Sequence, residues 1–204
     1  MWTGAILAGG RSRRLGGRNK AGLVLHPGGA SVLDRQLARL SRVVERIIII
    51  ANDADRFDAE GVPVIADLVP DAGALGAIYT AVHAAPTDRT LVIACDMPFL
   101  SEPLLAHLVA AGRDVDIAIP RTARGYEPLC ATYSRRCASE LRRLIDEKRF
   151  RLSDVARIPG LNVREVGRDE LKTFGPEEVL FFNLNTPDDY ARAIDLDGEY
   201  HYPS

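Results

Sequence analysis

One short stretch near the start of the chain, GGRSRRLGGRNK at residues 9–20, combines four glycines with five cationic side chains. Glycines let a backbone approach a ligand closely, and successive backbone N–H groups in such a loop can cradle an anion. Its arginines suit two-pronged contacts to phosphate, and its lysine supplies a point charge. The cations are Arg11, Arg13, Arg14, Arg18 and Lys20. The stretch predicts a polyphosphate site, and the alternative is a surface loop whose charges are merely solvated.

Two common phosphate-binding motifs are absent from this stretch. The P-loop pattern G-x-x-x-x-G-K-[ST] fails because Arg18 follows Gly16 and Gly17. The dinucleotide fingerprint G-x-G-x-x-G is not present either. Any nucleotide bound here is therefore expected to be held in another way.

Three polar residues follow apolar runs that predict buried strands. Asn52 follows RIIIIA, Asp67 follows VPVIA, and Asp96 follows TLVIAC. A carboxylate at a strand end can bind Mg²⁺, which takes hard oxygen ligands and often only one or two protein carboxylates. Asp96 is therefore a candidate metal ligand; the alternative is an aspartate that helps to cap the helix predicted from Ser101. For Asn52 and Asp67 the alternative is a simple turn residue.

Strands alternate with helices through the first half of the chain, which favours a parallel sheet with helices on both faces. Ser31 and Asp34 form a capping-box pattern that opens a helix to about Val44. Ligands of open α/β sheets bind beyond the carboxyl ends of the strands. The loops after Ala8, Ala51, Ala66 and Cys95 are therefore the places to look for the site. Later strands are predicted at Val115–Ile119, Glu127–Tyr133, Leu161–Val166 and Val179–Phe182.

The composition limits the class of protein. The chain has 204 residues, of which 47% are hydrophobic and 26% charged, as in ordinary globular domains. Its net charge of −2 argues against a partner such as nucleic acid. No apolar run approaches the roughly 20 residues of a membrane span. No leader precedes the first strand, so the expected location is cytoplasmic. The three cysteines match no zinc pattern and are expected to be buried, reduced thiols.

The segment LAGGRSRRLGGRNK resembles the signature L-A-G-G-x-S-x-R-M-G-x-x-K of the molybdenum cofactor guanylyltransferase (MobA-like) family of NTP transferases. Leu15 stands where methionine is usual, and the loop is one residue longer. The C-D-M-P turn that contains Asp96 is also typical of the group. The resemblance implies an α/β fold: a single-domain, Rossmann-like three-layer sandwich with a mostly parallel central sheet, of the nucleotide-diphospho-sugar transferase type. We expect this domain to span residues 1–197 and residues 198–204 to fray.

The resemblance also implies the roles of the site residues. Arg14 and Lys20 would neutralise the phosphates, and Asp96 would hold Mg²⁺, which makes these three the expected catalytic residues. The other expected nucleotide contacts are Leu7, Ala8, Gly9, Gly10, Asn52, Asp67 and Gly73. Asp67 would accept hydrogen bonds from guanine or hold the ribose hydroxyls, and Asn52 would contact the base or the ribose.

Two further segments resemble elements of the family. GALGA, which begins at Gly73, is similar to G-P-L-A-G, with Ala74 in place of proline. NLNTP, at residues 183–187, is similar to N-[VIL]-N-T-P. Asn183 or Asn185 would complete the metal shell or orient the acceptor, and the alternative for Asn185 is a turn residue before the helix cap at Thr186.

The resemblance implies GMP transfer from GTP to the terminal phosphate of molybdopterin. Gly9 favours GTP, because related cytidylyl enzymes resemble L-A-A-G and a missing Cβ leaves room for a purine. Basic residues of the 121–127 segment, together with Lys148, Arg149 and Arg151, are candidates to meet the acceptor's phosphate. Two alternatives stay open: a cytidylyl- or other nucleotidyltransferase with a different acceptor, and a non-catalytic nucleotide-binding adaptor. The family also implies docking to cofactor-biosynthesis proteins and molybdoenzyme chaperones.

Overall fold

The computed structural model describes residues 1–8, 22–52 and 61–199. The strands are β1 (Thr3–Leu7), β2 (Arg46–Ile50), β3 (Val64–Ile65), β4 (Arg89–Ala94), β5 (Ile117–Thr122), β6 (Gly125–Tyr126), β7 (Cys130–Ser134) and β8 (Val163–Val166). The α-helices are α1 (Val32–Leu40), α2 (Gly73–Ala84), α3 (Glu102–Ala111), α4 (Cys137–Asp146), α5 (Arg168–Leu171), α6 (Glu177–Leu180) and α7 (Pro187–Glu199). Short 3₁₀ helices lie at Pro70–Ala72 and Leu152–Arg157.

The described strands form one sheet in the order β3-β2-β1-β4-β7-β5-β6, and β8 also pairs with β5. The first four strands in this order run parallel, as does the β5–β8 pair. Strand β7 runs antiparallel to both β4 and β5. The sheet is therefore mixed and mostly parallel, and the family-type α/β fold expected from the sequence is confirmed.

Alternating residues of the central strands enter two cores, one on each face of the sheet, because successive side chains of a strand point to opposite faces. Ile6 and Ile93 pack in the core that contains side chains of α1 and α3. Ala5 and Val92 pack in the core that contains side chains of α2 and α4. This two-sided burial explains why the strands read as continuous apolar runs in the sequence.

Helix α1 begins with the expected capping box. The amide of Asp34 donates to Ser31 Oγ (3.1 Å), and the amide of Ser31 donates to Asp34 Oδ2 (3.1 Å). The helix ends at Leu40, and Ser41 caps it, so it is shorter than the predicted helix to Val44. Its capped start lies in a third small core, where Val32 packs with Phe99 and Leu184.

The predicted strand at Val179–Phe182 is wrong. The structure places Val179 and Leu180 in α6, which follows Pro176 and carries acidic side chains in its first turn. A short apolar run does not distinguish a buried strand from a buried helical turn. Leu180 and Phe181 are fully buried, which accounts for the run without a strand.

Three smaller expectations can be compared with the structure. Strand β7 begins at Cys130, three residues after the predicted start. All three cysteines are buried, and burial raises the pKa of Cys137 to about 11, which keeps that thiol protonated. Helix α7 continues to Glu199, into the segment expected to fray. In the part of the chain that the structure describes, no helix combines the length and apolar character needed to cross a membrane.

Candidate nucleotide site at the carboxyl edge of the sheet

The ends of three parallel strands are aligned at one edge of the sheet, here called the carboxyl edge. Leu7 of β1 pairs with Ile50 on one side and with Ala94 on the other. Two hydrogen bonds extend this alignment: Ala8 N donates to Ile50 O (2.9 Å) and Cys95 N donates to Leu7 O (3.1 Å). The segment Leu7–Ala8 therefore lies between the strands that lead to Asn52 and Asp96. These two strands are roughly 10 Å apart, which is twice the spacing of neighbouring strands.

Asn52 and Asp67 are joined by a hydrogen bond, because Asp67 N donates to Asn52 Oδ1 (3.0 Å). Asp67 Oδ1 accepts from Val69 N (2.9 Å) and from the hydroxyl of Thr80 (2.9 Å). Thr80 Oγ1 in turn accepts from Leu68 N (3.0 Å). The turn interpretation of Asp67 is thus correct for Oδ1. Among the described residues no contact engages Oδ2, so the carboxylate can order the turn and still accept hydrogen bonds from a ligand.

The start of α2 packs tightly against this turn. A Cβ on Gly76 would lie 2.4 Å from Val69 O and 3.4 Å from Asp67 Oδ1, so only glycine fits at this contact. Gly73 has a φ of +59°, which favours glycine, and it begins a helix of twelve residues. The positive end of α2 therefore lies beside Asp67, at the edge where the sequence places phosphates or a base.

Asp96 lies where expected, two residues after the end of β4 at Ala94. Its side chain is half-buried, whereas the flanking Cys95 and Met97 are buried. Leu184 N donates to the carbonyl oxygen of Asp96 (2.8 Å), which brings the NLNTP segment against this turn. Ser101 caps α3 with its own hydroxyl, which accepts from Leu104 N (3.4 Å), and the carboxylate of Asp96 has the hard oxygen atoms that Mg²⁺ prefers.

The two asparagines of the NLNTP segment differ in their surroundings. Asn183 Nδ2 donates to Phe181 O (3.0 Å), which shapes the chain that leads to Asp96. Asn185 precedes a capping arrangement in which Asp189 Oδ2 accepts from the amides of Asn185 (2.9 Å) and Thr186 (2.8 Å). The structure therefore supports the turn interpretation of the Asn185 backbone and brings the whole segment to the carboxyl edge.

The cations proposed to meet the acceptor are partly neutralised by acids. Arg121 Nη1 donates to Glu165 Oε2 (3.0 Å), and hydrogen bonds from Tyr126 and Arg121 lower the pKa of the Glu165 carboxyl. Arg149 is paired with Asp154 (3.1 Å). Lys148 and Arg151 have no ion pair among the described residues.

The hairpin of β5 and β6 is followed by a half-buried acid, Glu127, at the same edge. Burial raises the pKa of Glu127, although Thr122 and Arg124 oppose this shift. Arg124 Nη2 lies 3.6 Å from Glu127 Oε1 and donates to Phe181 O (2.9 Å). Because Asn183 donates to the same carbonyl oxygen, the hairpin and the NLNTP segment are linked through Phe181 O.

Several of the predicted site residues lie outside the described residues. They are Gly9, Gly10, Arg14 and Lys20, with the other cations of the glycine-rich loop. The structure brings Leu7, Ala8, Asn52, Asp67, Gly73 and Asp96 to one edge. Sequence reasoning missed Thr80 and Gln36, two buried polar residues that contact the turns of Asp67 and Asp96. The available signal was a polar residue among the apolar residues on the inward face of each helix.

Comparisons with known proteins identify the family of this chain. Residues 4–158 match the model of the MobA-like NTP transferase domain. A molybdenum cofactor guanylyltransferase of Desulfosudis oleivorans is 33% identical, covering 94% of this chain and 93% of its own. Another, of Mesorhizobium japonicum, is 38% identical over 95% of this chain and 94% of its own. The crystal structure of molybdopterin-guanine dinucleotide biosynthesis protein A from Archaeoglobus fulgidus is 28% identical, covers 97% and 100% of the two chains, and superposes with a TM-score of 0.78. The chain therefore belongs to the MobA-like NTP transferase family.

Proposed function

We propose that this protein transfers GMP from GTP to the terminal phosphate of molybdopterin, releasing pyrophosphate and forming a guanine dinucleotide cofactor. The observation that carries the proposal is the alignment of Leu7, Asn52, Asp67 and Asp96 at one edge of the sheet, in a chain whose full-length relatives are named guanylyltransferases. In this proposal the nucleotide lies across β1, with its base toward Asp67 and its phosphates toward Asp96.

Recognition of the base is assigned to Asp67 and Asn52. Guanine presents two neighbouring donors, N1–H and the exocyclic amine, and Oδ2 of Asp67 can accept from them while Oδ1 holds the turn. Binding of the ribose hydroxyls by the same carboxylate is the alternative. The choice of GTP over CTP rests on Gly9, where a missing Cβ leaves room for a purine.

Mg²⁺ fits the residues present. Asp96 supplies a half-buried carboxylate oxygen, and the described residues contain no cluster of three or more His, Cys, Asp or Glu that would hold a metal alone. One carboxylate together with substrate phosphates and water is a common magnesium site. When bound there, Mg²⁺ would offset the negative charge of the phosphates.

The transfer itself needs no protein nucleophile or general base, because the acceptor's phosphate is already ionised. Its oxygen attacks the α-phosphorus of GTP in line, the bond to the β-phosphate breaks, and pyrophosphate leaves. The protein then contributes positioning and charge stabilisation. The backbone of residues 7–10 cradles the nucleotide, Arg14 and Lys20 neutralise the phosphates, and Asp96 orients the metal end.

The wider setting follows from the same assignment. We propose one nucleotidyltransferase domain over residues 1–197, with a C-terminal tail at 198–204. A cofactor-synthesis enzyme of this kind would work in the cytoplasm and pass its product to molybdoenzyme chaperones. Neither nucleic acid nor a membrane is part of the proposal.

The test is a product assay with purified protein, molybdopterin, Mg²⁺ and either GTP or CTP. We expect pyrophosphate and a guanine dinucleotide product, identified by mass, with GTP and little with CTP. A cytidine product would assign the chain to the cytidylyl relatives. Nucleotide binding without pyrophosphate would instead support the non-catalytic adaptor.

A further inference from the structure

A buried glutamine connects helix α1 to the turn that carries Asp96. Gln36 is 1% exposed, and its Nε2 donates to Ala94 O (2.8 Å) and to Met97 O (3.1 Å). Ala94 and Met97 are the ends of a tight turn, closed by a hydrogen bond from Met97 N to Ala94 O (3.3 Å). Asp96 is the third residue of that turn, so one side-chain amide spans the backbone on both sides of the candidate metal ligand.

The carbonyl groups around Asp96 are held from two directions. One turn further along α1, Arg39 Nη1 donates to Pro98 O (2.8 Å). From the NLNTP segment, Leu184 N donates to Asp96 O (2.8 Å). Backbone rotation at Asp96 would break at least one of these bonds, so the direction of its side chain is tied to the placement of α1.

The hydrogen bonds of Gln36 indicate that its side-chain N–H donors, and not its bulk, explain its presence at this position. The Oε1 atom of Gln36 is buried and accepts no hydrogen bond within the described residues. A buried acceptor without a donor is costly, so a residue that merely filled this space would not carry one. Both N–H groups of the amide are used, and both go to the Asp96 turn.

We propose that Gln36 is a positioning residue for nucleotidyl transfer, which fixes the Asp96 turn and thereby directs the carboxylate toward the metal end of the nucleotide. The proposal rests on the proposed function, because it assumes that Asp96 meets a metal–nucleotide complex. Gln36 itself touches neither the substrate nor the metal. Its effect is therefore expected on metal affinity and turnover, and not on recognition of the base across the sheet.

The test uses Gln36→Met, which keeps length and apolar bulk and removes both donors. Mn²⁺ replaces Mg²⁺, and its binding to the protein–GTP complex is followed by electron paramagnetic resonance. We expect the Mn²⁺ affinity and the turnover each to fall by about 10-fold or more, while metal-free GTP affinity stays within about two-fold. Gln36→His keeps one ring N–H donor, so its losses should be smaller than those of Gln36→Met.

The matched control is Leu40→Ala, a buried position on the same helix that packs in the core and has no bond to the turn. It should lower thermal stability at least as much as Gln36→Met and leave Mn²⁺ affinity unchanged. Equal losses of Mn²⁺ affinity in both variants, or wild-type values in Gln36→Met, would overturn the role of Gln36 alone. Wild-type protein that binds no Mn²⁺–GTP would overturn the proposed function, and this role with it.

Discussion

The amino and carboxyl edges of the sheet both collect charged side chains, but they use them differently. At the amino edge, a cavity of about 560 Å³ is lined by three arginines and three aspartates. Arg135 donates to the carbonyl oxygens of Ala85 and Thr87, and Asp116 accepts from Ser134, all through short contacts. These groups already bind one another and the backbone. The charged residues of this cavity therefore stabilise the fold, although their number alone would suggest a ligand site.

At the carboxyl edge, polar groups order the turns that follow the strands, and one carboxylate oxygen of Asp67 has no contact among the described residues. Asp67 binds its own turn through Oδ1, and Asn52 holds the backbone of Asp67. Asp96 is fixed through backbone carbonyl groups while its carboxylate stays half-buried. The comparison shows that a ligand site is better recognised by hydrogen-bonding atoms that the protein itself does not use than by the number of charged residues.

The largest expected effect tests the carboxyl edge directly. Asp96→Ala and Lys20→Ala should each lower turnover by about 1,000-fold or more, since each removes charge compensation that acts on the phosphates. Steady-state pyrophosphate release measures this, and thermal unfolding should show an intact fold. Asp146→Ala, an exposed acid on α4 paired with Arg142, serves as the control. Wild-type turnover in either site variant would contradict the assigned roles.

A second pair of variants separates the two oxygens of Asp67. Asp67→Asn can keep the turn through its carbonyl oxygen, but it places an amide donor where guanine presents donors. GTP affinity should fall by about 10- to 100-fold, or roughly 1.4–2.7 kcal/mol, as expected for loss of a charged acceptor. Thr80→Val removes only the hydroxyl that binds the turn and should cost about 1 kcal/mol of stability with a smaller loss of affinity. Calorimetry with GTP measures the affinity of each variant, and urea unfolding measures its stability. Equal losses of GTP affinity in the two variants would contradict the separate roles of Oδ1 and Oδ2.

A third prediction addresses the amino edge. Burial raises the pKa of Asp116, but hydrogen bonds from Asn162 and Ser134 and the charge of Arg136 outweigh it, so the pKa is lowered. Asp116→Asn should cost about 2 kcal/mol at pH 7, because a buried charged acceptor is lost. A carboxyl group whose pKa is lower in the folded than in the unfolded protein stabilises the fold at pH values above its unfolded-state pKa. This contribution is lost as the pH falls through the folded-state pKa.

The difference in stability between the Asp116→Asn variant and wild type should therefore stay constant from pH 7 to about pH 5 and shrink as the pH falls further, as measured by urea unfolding. Asp114→Asn, an exposed neighbour in the same cavity, is the control and should change stability little. GTP affinity should not change, since Asp116 lies at the opposite edge from the site. A stability difference that does not depend on pH, or weaker GTP binding, would count against the distinction between the edges.

The smallest expected effect concerns the end of α4, which returns to the carboxyl edge. Lys148 has a φ of 56°, and Arg149 N donates to Leu144 O (2.9 Å), a helix ending that normally uses glycine at the lysine position. Lys148→Gly should therefore raise stability by about 1 kcal/mol. If the lysine meets the acceptor, the same change should raise the KM for molybdopterin and not that for GTP. An unchanged KM for molybdopterin would mean that Lys148 only ends the helix and does not contact the acceptor.

The parallel half of the fold was predictable because its signals are local. The runs RIIIIA and TLVIAC are rich in β-branched residues, which favours strands over helices, and Asn52 and Asp96 follow them immediately. The capping box at Ser31 was equally local and is present as predicted. Once the strands are parallel, their polar ends must meet at one edge, so this part of the site follows from sequence and topology together.

The remainder depended on contacts between distant segments. Gln36 and Ala94 are 58 residues apart, and no local pattern predicts their hydrogen bond. The reversal of β7 was also hidden, because a short apolar strand reads the same in either direction. The ion pair of Arg121 with Glu165 joins residues 44 positions apart, whereas Arg149 pairs with Asp154, which lies five positions along the chain. These cations therefore looked more available in the sequence than they are in the structure.

Nucleotide binding tests the central claim most directly, because it requires no acceptor. The purified protein would be titrated by calorimetry with GTP, CTP and ATP in the presence of Mg²⁺, with Asp96→Ala as the control. The account predicts Mg²⁺-dependent binding of GTP in clear preference to the other two, and loss of the Mg²⁺ dependence in the variant. Preference for CTP or ATP, or GTP binding that ignores both Mg²⁺ and Asp96, would contradict it.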